Sequence, residues 1–176
     1  YYRTAKGTPL TGLAVDVERG DEFMGGDPNG LNALWMYMSY LRQAVGSRYL
    51  LVSTVEDPYL EHLDNSKYPY PQIARYSDVL QPMSYWRMMR RNPTTPGQVK
   101  VLLKGSYDRL IYLSGRKLPV SMGGQTDSEG RNGFPPADEI SASLEISKNL
   151  GAIGECFFAW DATQPYQWDA ISKYNW

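Results

Sequence analysis

Gly12-Leu13-Ala14-Val15-Asp16-Val17-Glu18 is an apolar run that closes on two carboxylates, and it reads as a buried strand with an acidic end. Side chains alternate along a strand, so residues two apart share a face, and Asp16 and Glu18 are expected to point the same way. Held that close, their repulsion and partial burial would raise the proton affinity of at least one, which a general acid working near neutral pH requires. The plain alternative is that both carboxylates simply end a strand in water.

Four further apolar, β-branched or aromatic runs follow, at Tyr49 to Val55, Val79 to Tyr85, Leu118 to Met122 and Gly154 to Trp160. Their spacing is that of a βα unit, roughly 30 to 40 residues. Helical patterns lie between them. Leu31 to Val45 places Leu31, Leu34, Trp35, Met38 and Leu41 near helical spacing, with Gly46 as its stop. A shorter helix is expected around Gln72 to Arg75. Gln98 to Leu113 carries Val99, Leu102, Leu103, Leu110 and Leu113, interrupted by Gly105. Ala137 to Leu150 has Pro136 near its start, Asp138 and Glu139 in its first turn and Gly151 at its end. Tyr166 to Tyr174 predicts a last short helix.

Strands alternating with helices predict a parallel sheet with crossovers, the α/β class, covered on both faces. A closed (β/α)8 TIM-type barrel takes about 250 residues, and the chain has 176. The expectation is therefore a single domain, residues 1–176, forming the C-terminal portion of such a barrel with only strands 4 to 8 present. A second chain or segment would complete the barrel. The rival is an open doubly wound sheet, but Gly25-Gly26-Asp27-Pro28-Asn29-Gly30 matches neither a dinucleotide fingerprint nor a P-loop.

Barrel enzymes keep their chemistry at the carboxyl ends of the strands. Here those ends offer Asp16 and Glu18, then Glu56 and Asp57, then Gln81, Tyr85 and Trp86, then Gln125 and Asp127, and last Trp160 and Asp161. Carboxylates, amides, a tyrosine hydroxyl and tryptophans on one rim suit a sugar, whose hydroxyls need hydrogen bonds and whose C–H faces stack on rings. Asp57-Pro58 also reads as ordinary turn initiation.

Composition removes other classes. The chain is 42% hydrophobic and 21% charged with a formal net charge of −1, which fits a globular domain and argues against a nucleic-acid partner, since neutralising phosphates takes clustered Lys and Arg. Arg87, Arg90 and Arg91 form the only dense basic stretch. No apolar stretch reaches membrane-spanning length, and Tyr1-Tyr2-Arg3 opens no signal-peptide pattern. His62 is the only histidine, so neither a zinc site nor a serine triad has its parts, and neither metal nor cofactor is expected. Cys156, the only cysteine, sits in an apolar run and reads as a small buried hydrophobe. Tyr68, Tyr70 and Tyr76, among Pro69 and Pro71, read either as a sugar-stacking loop or, the commoner use, as packing of a proline-rich connection.

Ala14-Val15-Asp16-Val17-Glu18, Leu80-Gln81-Pro82-Met83-Ser84-Tyr85 and Gly151 to Trp160 together resemble glycoside hydrolase barrels. The nearest groups are the family 18 chitinases, the family 25 lysozyme-type muramidases and uncharacterised hydrolase-like barrels of bacterial cell-wall proteins. In those families the fourth strand ends in Asp-x-Glu, the sixth carries Met-x-Tyr or Gln-x-x-Tyr, and the eighth ends in an aromatic. Two departures stand out. Gly12 and Ala14 occupy positions where chitinases carry further aspartates, and Trp86 stands where their tyrosine is followed by Asp.

The resemblance implies hydrolysis of a polysaccharide, chitin or peptidoglycan among the candidates, in an extracellular or cell-envelope setting. Glu18 would protonate the glycosidic oxygen, Asp16 would raise its pKa or orient an acetamido group, and Tyr85 would hydrogen-bond at the reacting centre. Trp160 would floor the sugar site, with Gln81, Trp86, Gln125 and Asp161 completing the substrate contacts. The alternative is a non-catalytic carbohydrate-binding or degenerate barrel subunit, because an open sheet edge attracts partners unless it is covered.

Overall fold

The computed structural model describes residues 3–18, 30–59, 68–88, 94–128 and 133–176. Residues 25–29, His62, Arg90 and Arg91 lie outside them. Strands and helices alternate throughout: β1 (Gly12–Val17), α1 (Gly30–Val45), β2 (Leu50–Val55), α2 (Tyr70–Tyr76), β3 (Val79–Pro82), α3 (Pro96–Ser114), β4 (Ser121–Gln125), α4 (Ala137–Asn149), β5 (Gly154–Phe158) and α5 (Pro165–Lys173).

All strand pairs are parallel and follow chain order. β1 pairs with β2 and β2 with β3, while β4 pairs with β5. Bridges Leu80↔Val120 and Met83↔Gly123 join the two groups, closed by Leu80 N to Pro119 O at 3.1 Å and Ser84 N to Gly123 O at 2.9 Å. A doubly wound sheet reverses its strand order at a switch point. No reversal occurs among these five strands, so the rival is excluded and the architecture is that of five consecutive units of a (β/α)8 barrel.

One face of the sheet carries the core. Val15 and Val17 of β1, Leu51 and Val55 of β2, Leu80 of β3 and Met122 of β4 pack with Leu34, Met38, Ile73, Leu103, Leu110 and Ile140 from the helices. Each fully buried aliphatic side chain contributes about 1.5–3 kcal/mol by leaving water. On the opposite, inner face the side chains of β1 and β5 are exposed while Val79 of β3 and Gln125 of β4 are buried, so the expectation of strands covered on both faces holds in the middle of the sheet and fails at its edges. Alternation shows it directly: Ala14, Asp16 and Glu18 are exposed while Val15 and Val17 between them are buried.

Local chemistry sets the helix ends. Thr95 caps α3 through a capping box, Gln98 N donating to Thr95 Oγ1 at 3.3 Å and Thr95 N donating to Gln98 Oε1 at 3.0 Å. Pro96 opens the helix and Gly115 closes it in the left-handed region at φ 68°. α3 runs unbroken through Gly105, where an added Cβ would lie 2.8 Å from the Tyr59 ring: the glycine makes room for an aromatic from the β2–α2 connection.

β4 lies at Ser121–Gln125, three residues beyond the expected Leu118 to Met122. Gly123 and Gly124 have low strand propensity and hide it. Close approach requires them, since a Cβ on Gly123 would stand 2.4 Å from Pro82 O, and one on Gly124 would stand 2.7 Å from both Glu155 Oε1 and the Phe157 ring.

Candidate active site

Register decides which side chains share the inner face. Asp16 lies opposite Thr54, and Thr54 opposite Gln81. One step toward the strand ends, Met83 pairs with Gly123 and Gly123 with Cys156. A further step brings Gln125 opposite Phe158. The sheet thus carries Asp16, Gln81, Cys156, Gln125 and Phe158 on one side, across all its strands but β2, whose row is held by Thr54.

Tyr85, just beyond β3, sits at the centre of this arrangement. Its ring stacks on Phe158 with centroids 5.8 Å apart and planes inclined by 30°. Burial holds its hydroxyl pKa well above the ordinary tyrosine value, and the charges of Asp16, Asp127, Glu18 and Cys156 push the same way. The phenol therefore stays protonated and remains a hydrogen-bond donor. Those four acidic side chains are brought near one hydroxyl from three different strands. Asp16 and Glu18 are both exposed, which corrects the expectation of partial burial; the physical reason is the uncovered inner face.

The residues after Tyr85 turn into the core. Trp86 is fully buried, its indole Nε1 donating to Glu139 Oε2 at 2.8 Å. Arg87 grips the same carboxylate, Nε to Oε2 at 2.9 Å and Nη2 to Oε1 at 3.0 Å, and its backbone N donates to Gln125 Oε1 at 3.3 Å. Trp86 is therefore a packing residue that fixes the loop carrying Tyr85, and it presents no face to a sugar as the sequence reading expected. Gln125, on the inner side by register, is fully buried as well.

Trp160 is 79% exposed and meets Trp168 of α5 edge-on at 4.6 Å. Asp161 beside it is exposed. Both follow β5, after the cis Phe158–Ala159 peptide, and Phe158 is the aromatic that stands in the inner row. Sequence reasoning passed over Phe158; its place two residues beyond Cys156 on an alternating strand was the available signal. Cys156 is exposed on the inner face, a correction of its expected burial, since alternation puts it on the uncovered side.

Asp57 falls on the helix side. It is fully buried, its Oδ1 accepting Tyr59 N at 2.7 Å, which is the turn that Asp57-Pro58 predicts. Burial pushes its carboxyl up to about 6, against the opposing pull of the Ser84 and Ser106 hydroxyls. Glu56 next to it is held by tyrosines: its backbone N donates to Tyr68 Oη at 3.4 Å and its carbonyl accepts from Tyr70 Oη at 3.0 Å. Both tyrosines are buried, so this part of the proline-rich connection packs. Among the described residues no group of three or more His, Cys, Asp or Glu side chains is arranged to hold a metal ion, and no helix is long and apolar enough to cross a membrane.

No protein-family model and no curated protein matches the chain. Solved structures do. The chain is similar to a chitinase from Chromobacterium violaceum ATCC 12472, with a TM-score of 0.64 and 12% identity over 93% of this chain and 65% of that one. The C-terminal domain of a putative chitinase from Desulfitobacterium hafniense DCB-2 gives a TM-score of 0.62 and 17% identity over 94% of this chain and 67% of that one. The Bacillus cereus spore cortex-lytic enzyme SleL gives 0.61 and 14%, over 92% and 48%. The fold is that of glycoside hydrolase barrels, and the chain spans between about half and two thirds of their length.

Proposed function

We propose that the chain is the catalytic portion of a glycoside hydrolase acting on an amino-sugar polysaccharide such as chitin or peptidoglycan. Its units would be the fourth to eighth of the barrel, with the others supplied by a further segment or a second chain. The observation that carries the reading is the meeting of Asp16, Glu18 and Asp127 around a protonated Tyr85 at the strand ends where barrel enzymes work. Glu18, nearest the end of β1, would give its proton to the glycosidic oxygen. Asp16 would orient the group next to the reacting carbon or hold the acid's proton by repulsion. Tyr85 would donate a hydrogen bond at the reacting centre. Gln81 and Phe158 would contact the sugar, with Trp160 and Asp161 farther along the rim and Gln125 supporting from below.

Glu18→Gln removes the proton and keeps the shape. Assayed on chitin oligosaccharides and peptidoglycan fragments, it is expected to lower turnover by about 10²–10⁴-fold, the usual yield of general acid catalysis. Unchanged turnover takes Glu18 out of the acid role. The exposure of Asp16 and Glu18 favours a second reading, a carbohydrate-binding barrel without hydrolysis. Sugar binding by the wild type with no cleavage, unaltered in Glu18→Gln, selects it.

A further inference from the structure

We infer that Asp57 is a positioning residue of the site: from the end of β2 it holds, through Ser84, the stretch of backbone that sets the place of the Tyr85 hydroxyl. This rests on the reading of Tyr85 as a donor at the reacting centre and names what controls its position. Three polar side chains meet on the helix side of the site. Asp57, Ser84 and Ser106 are all fully buried, and they come from the end of β2, the loop after β3 and the middle of α3. Asp57 Oδ1 accepts from Tyr59 N at 2.7 Å. Its Oδ2 and both serine hydroxyls are enclosed, beside one another but outside full hydrogen-bond geometry. Such a cluster is half satisfied, and a small movement completes it.

Ser84 is where that movement reaches the site. Its backbone N donates to Gly123 O and to Pro82 O, each at 2.9 Å, so it is a junction between β3 and β4, and it shares a rigid peptide plane with Tyr85. What faces Asp57 among the described residues is uncharged: the Ser84 and Ser106 hydroxyls and Tyr59 N. While protonated, the carboxyl donates to one hydroxyl. Once ionised it only accepts, both hydroxyls have to turn and donate, and charge-assisted bonds are shorter. Ionisation therefore draws Ser84 toward Asp57 and shifts Tyr85 on its stack with Phe158. Burial places that change near pH 6, where Tyr85 itself stays protonated.

Carbon NMR of protein labelled at aspartate Cγ and tyrosine Cζ, titrated from about pH 4.5 to 8, tests this. The Asp57 and Tyr85 signals, assigned from Asp57→Asn and Tyr85→Phe, are expected to shift with one common midpoint near pH 6. The charges of Asp16 and Glu18 at β1, Asp127 beyond β4 and Cys156 on β5 also act on Tyr85, so the step that belongs to Asp57 is the one missing from Asp57→Asn. Two further variants separate position from packing. Ser106→Ala takes a donor from Asp57 without touching the loop and should raise both midpoints by about one pH unit. Ser84→Ala should leave Asp57 titrating, at a raised midpoint, with the Tyr85 step gone. A wild-type Tyr85 signal with no step near pH 6, a step that stays in Asp57→Asn, or one that still follows Asp57 in Ser84→Ala overturns the inference. The wild-type titration stands even if a variant folds poorly. Coupled steps without cleavage of chitin oligosaccharides or peptidoglycan fragments sink the hydrolase reading and leave this one; Glu18-dependent cleavage with no Tyr85 step does the reverse.

Discussion

Glu155 offers the sharpest test of how this sheet is packed. It lies on β5 facing the helices, with both carboxyl oxygens buried beside the Ser143 and Ser147 hydroxyls but outside full hydrogen-bond geometry with them. Burial pushes it from 4.5 up to about 8, more than the neighbouring Ser143 and Ser147 hydroxyls pull it down. In the unfolded chain the group loses its proton near its ordinary value, while in the folded chain it keeps the proton until about pH 8. Between the two the folded state holds more protons, so stability is fully present below pH 4.5, falls as pH rises, and levels off above about 8. A tenfold change in proton affinity is worth about 1.4 kcal/mol, which makes the loss about 3 kcal/mol at pH 7 and about 5 kcal/mol above pH 8.

Those are large fractions of the total for a single domain, about 5–15 kcal/mol. Glu155→Gln removes the titration and keeps the volume, and the serine hydroxyls can accept from its amide. Asp57, raised from 3.8 to about 6, tilts the curve of both proteins alike, so the difference between them isolates Glu155. Urea unfolding followed by tryptophan fluorescence at about pH 5, 7 and 9 should show a variant that gains on the wild type by several kcal/mol as pH rises. Two curves that stay parallel across that range would show that the carboxyl reaches water, and the packing of β5 against α4 would have to be redrawn.

Two other perturbations probe the frame around the site. Gly123→Ala should cost about 1–3 kcal/mol or more in chemical denaturation, because its Cβ would meet the backbone oxygen of Pro82 at 2.4 Å and neither strand can yield without opening the β3–β4 bridge. Gly105→Ala meets only the Tyr59 ring, which is 41% exposed and free to swing outward, so the recovered helix propensity of about 1 kcal/mol should leave it near neutral. Glu139→Gln leaves Arg87 buried beside an uncharged partner and should cost about 3–5 kcal/mol by the same measurement; a loss under about 1 kcal/mol would mean that the pair is solvated.

The outline of the fold was legible because its outer face is written in ordinary apolar side chains. Val15 and Val17 of the first apolar run are buried, as are Leu34, Met38, Leu103 and Leu110, read at helical spacing, while Trp35 of the same pattern is exposed. The order of elements follows from that rhythm. What escaped was set by contacts between distant segments. Gly123 and Gly124 weaken the strand signal of β4 because their value lies in the approach of Pro82, Glu155 and Phe157, which no local window contains. Trp86 looked like a sugar platform since it follows Tyr85, yet Glu139, on α4, draws its indole into the core. Phe158 was overlooked beside the larger Trp160, although alternation from Cys156 places it on the inner face.

The two sides of the sheet carry different burdens, and this determines how far each substitution can be interpreted. The outer side holds Val15, Val17, Leu51 and Val55 in the core, so changes there reach the site only by way of stability. On the inner side, Asp16 and Glu18 are exposed. A fall in turnover in Glu18→Gln accordingly reports on chemistry, since surface substitutions usually alter stability by no more than about 0.5 kcal/mol. Asp127 stands between these cases, enclosed like a core residue yet acting on the Tyr85 hydroxyl. Its substitution changes both packing and charge, so a loss in Asp127→Asn has to be read beside the stability of the variant before it is assigned to the site.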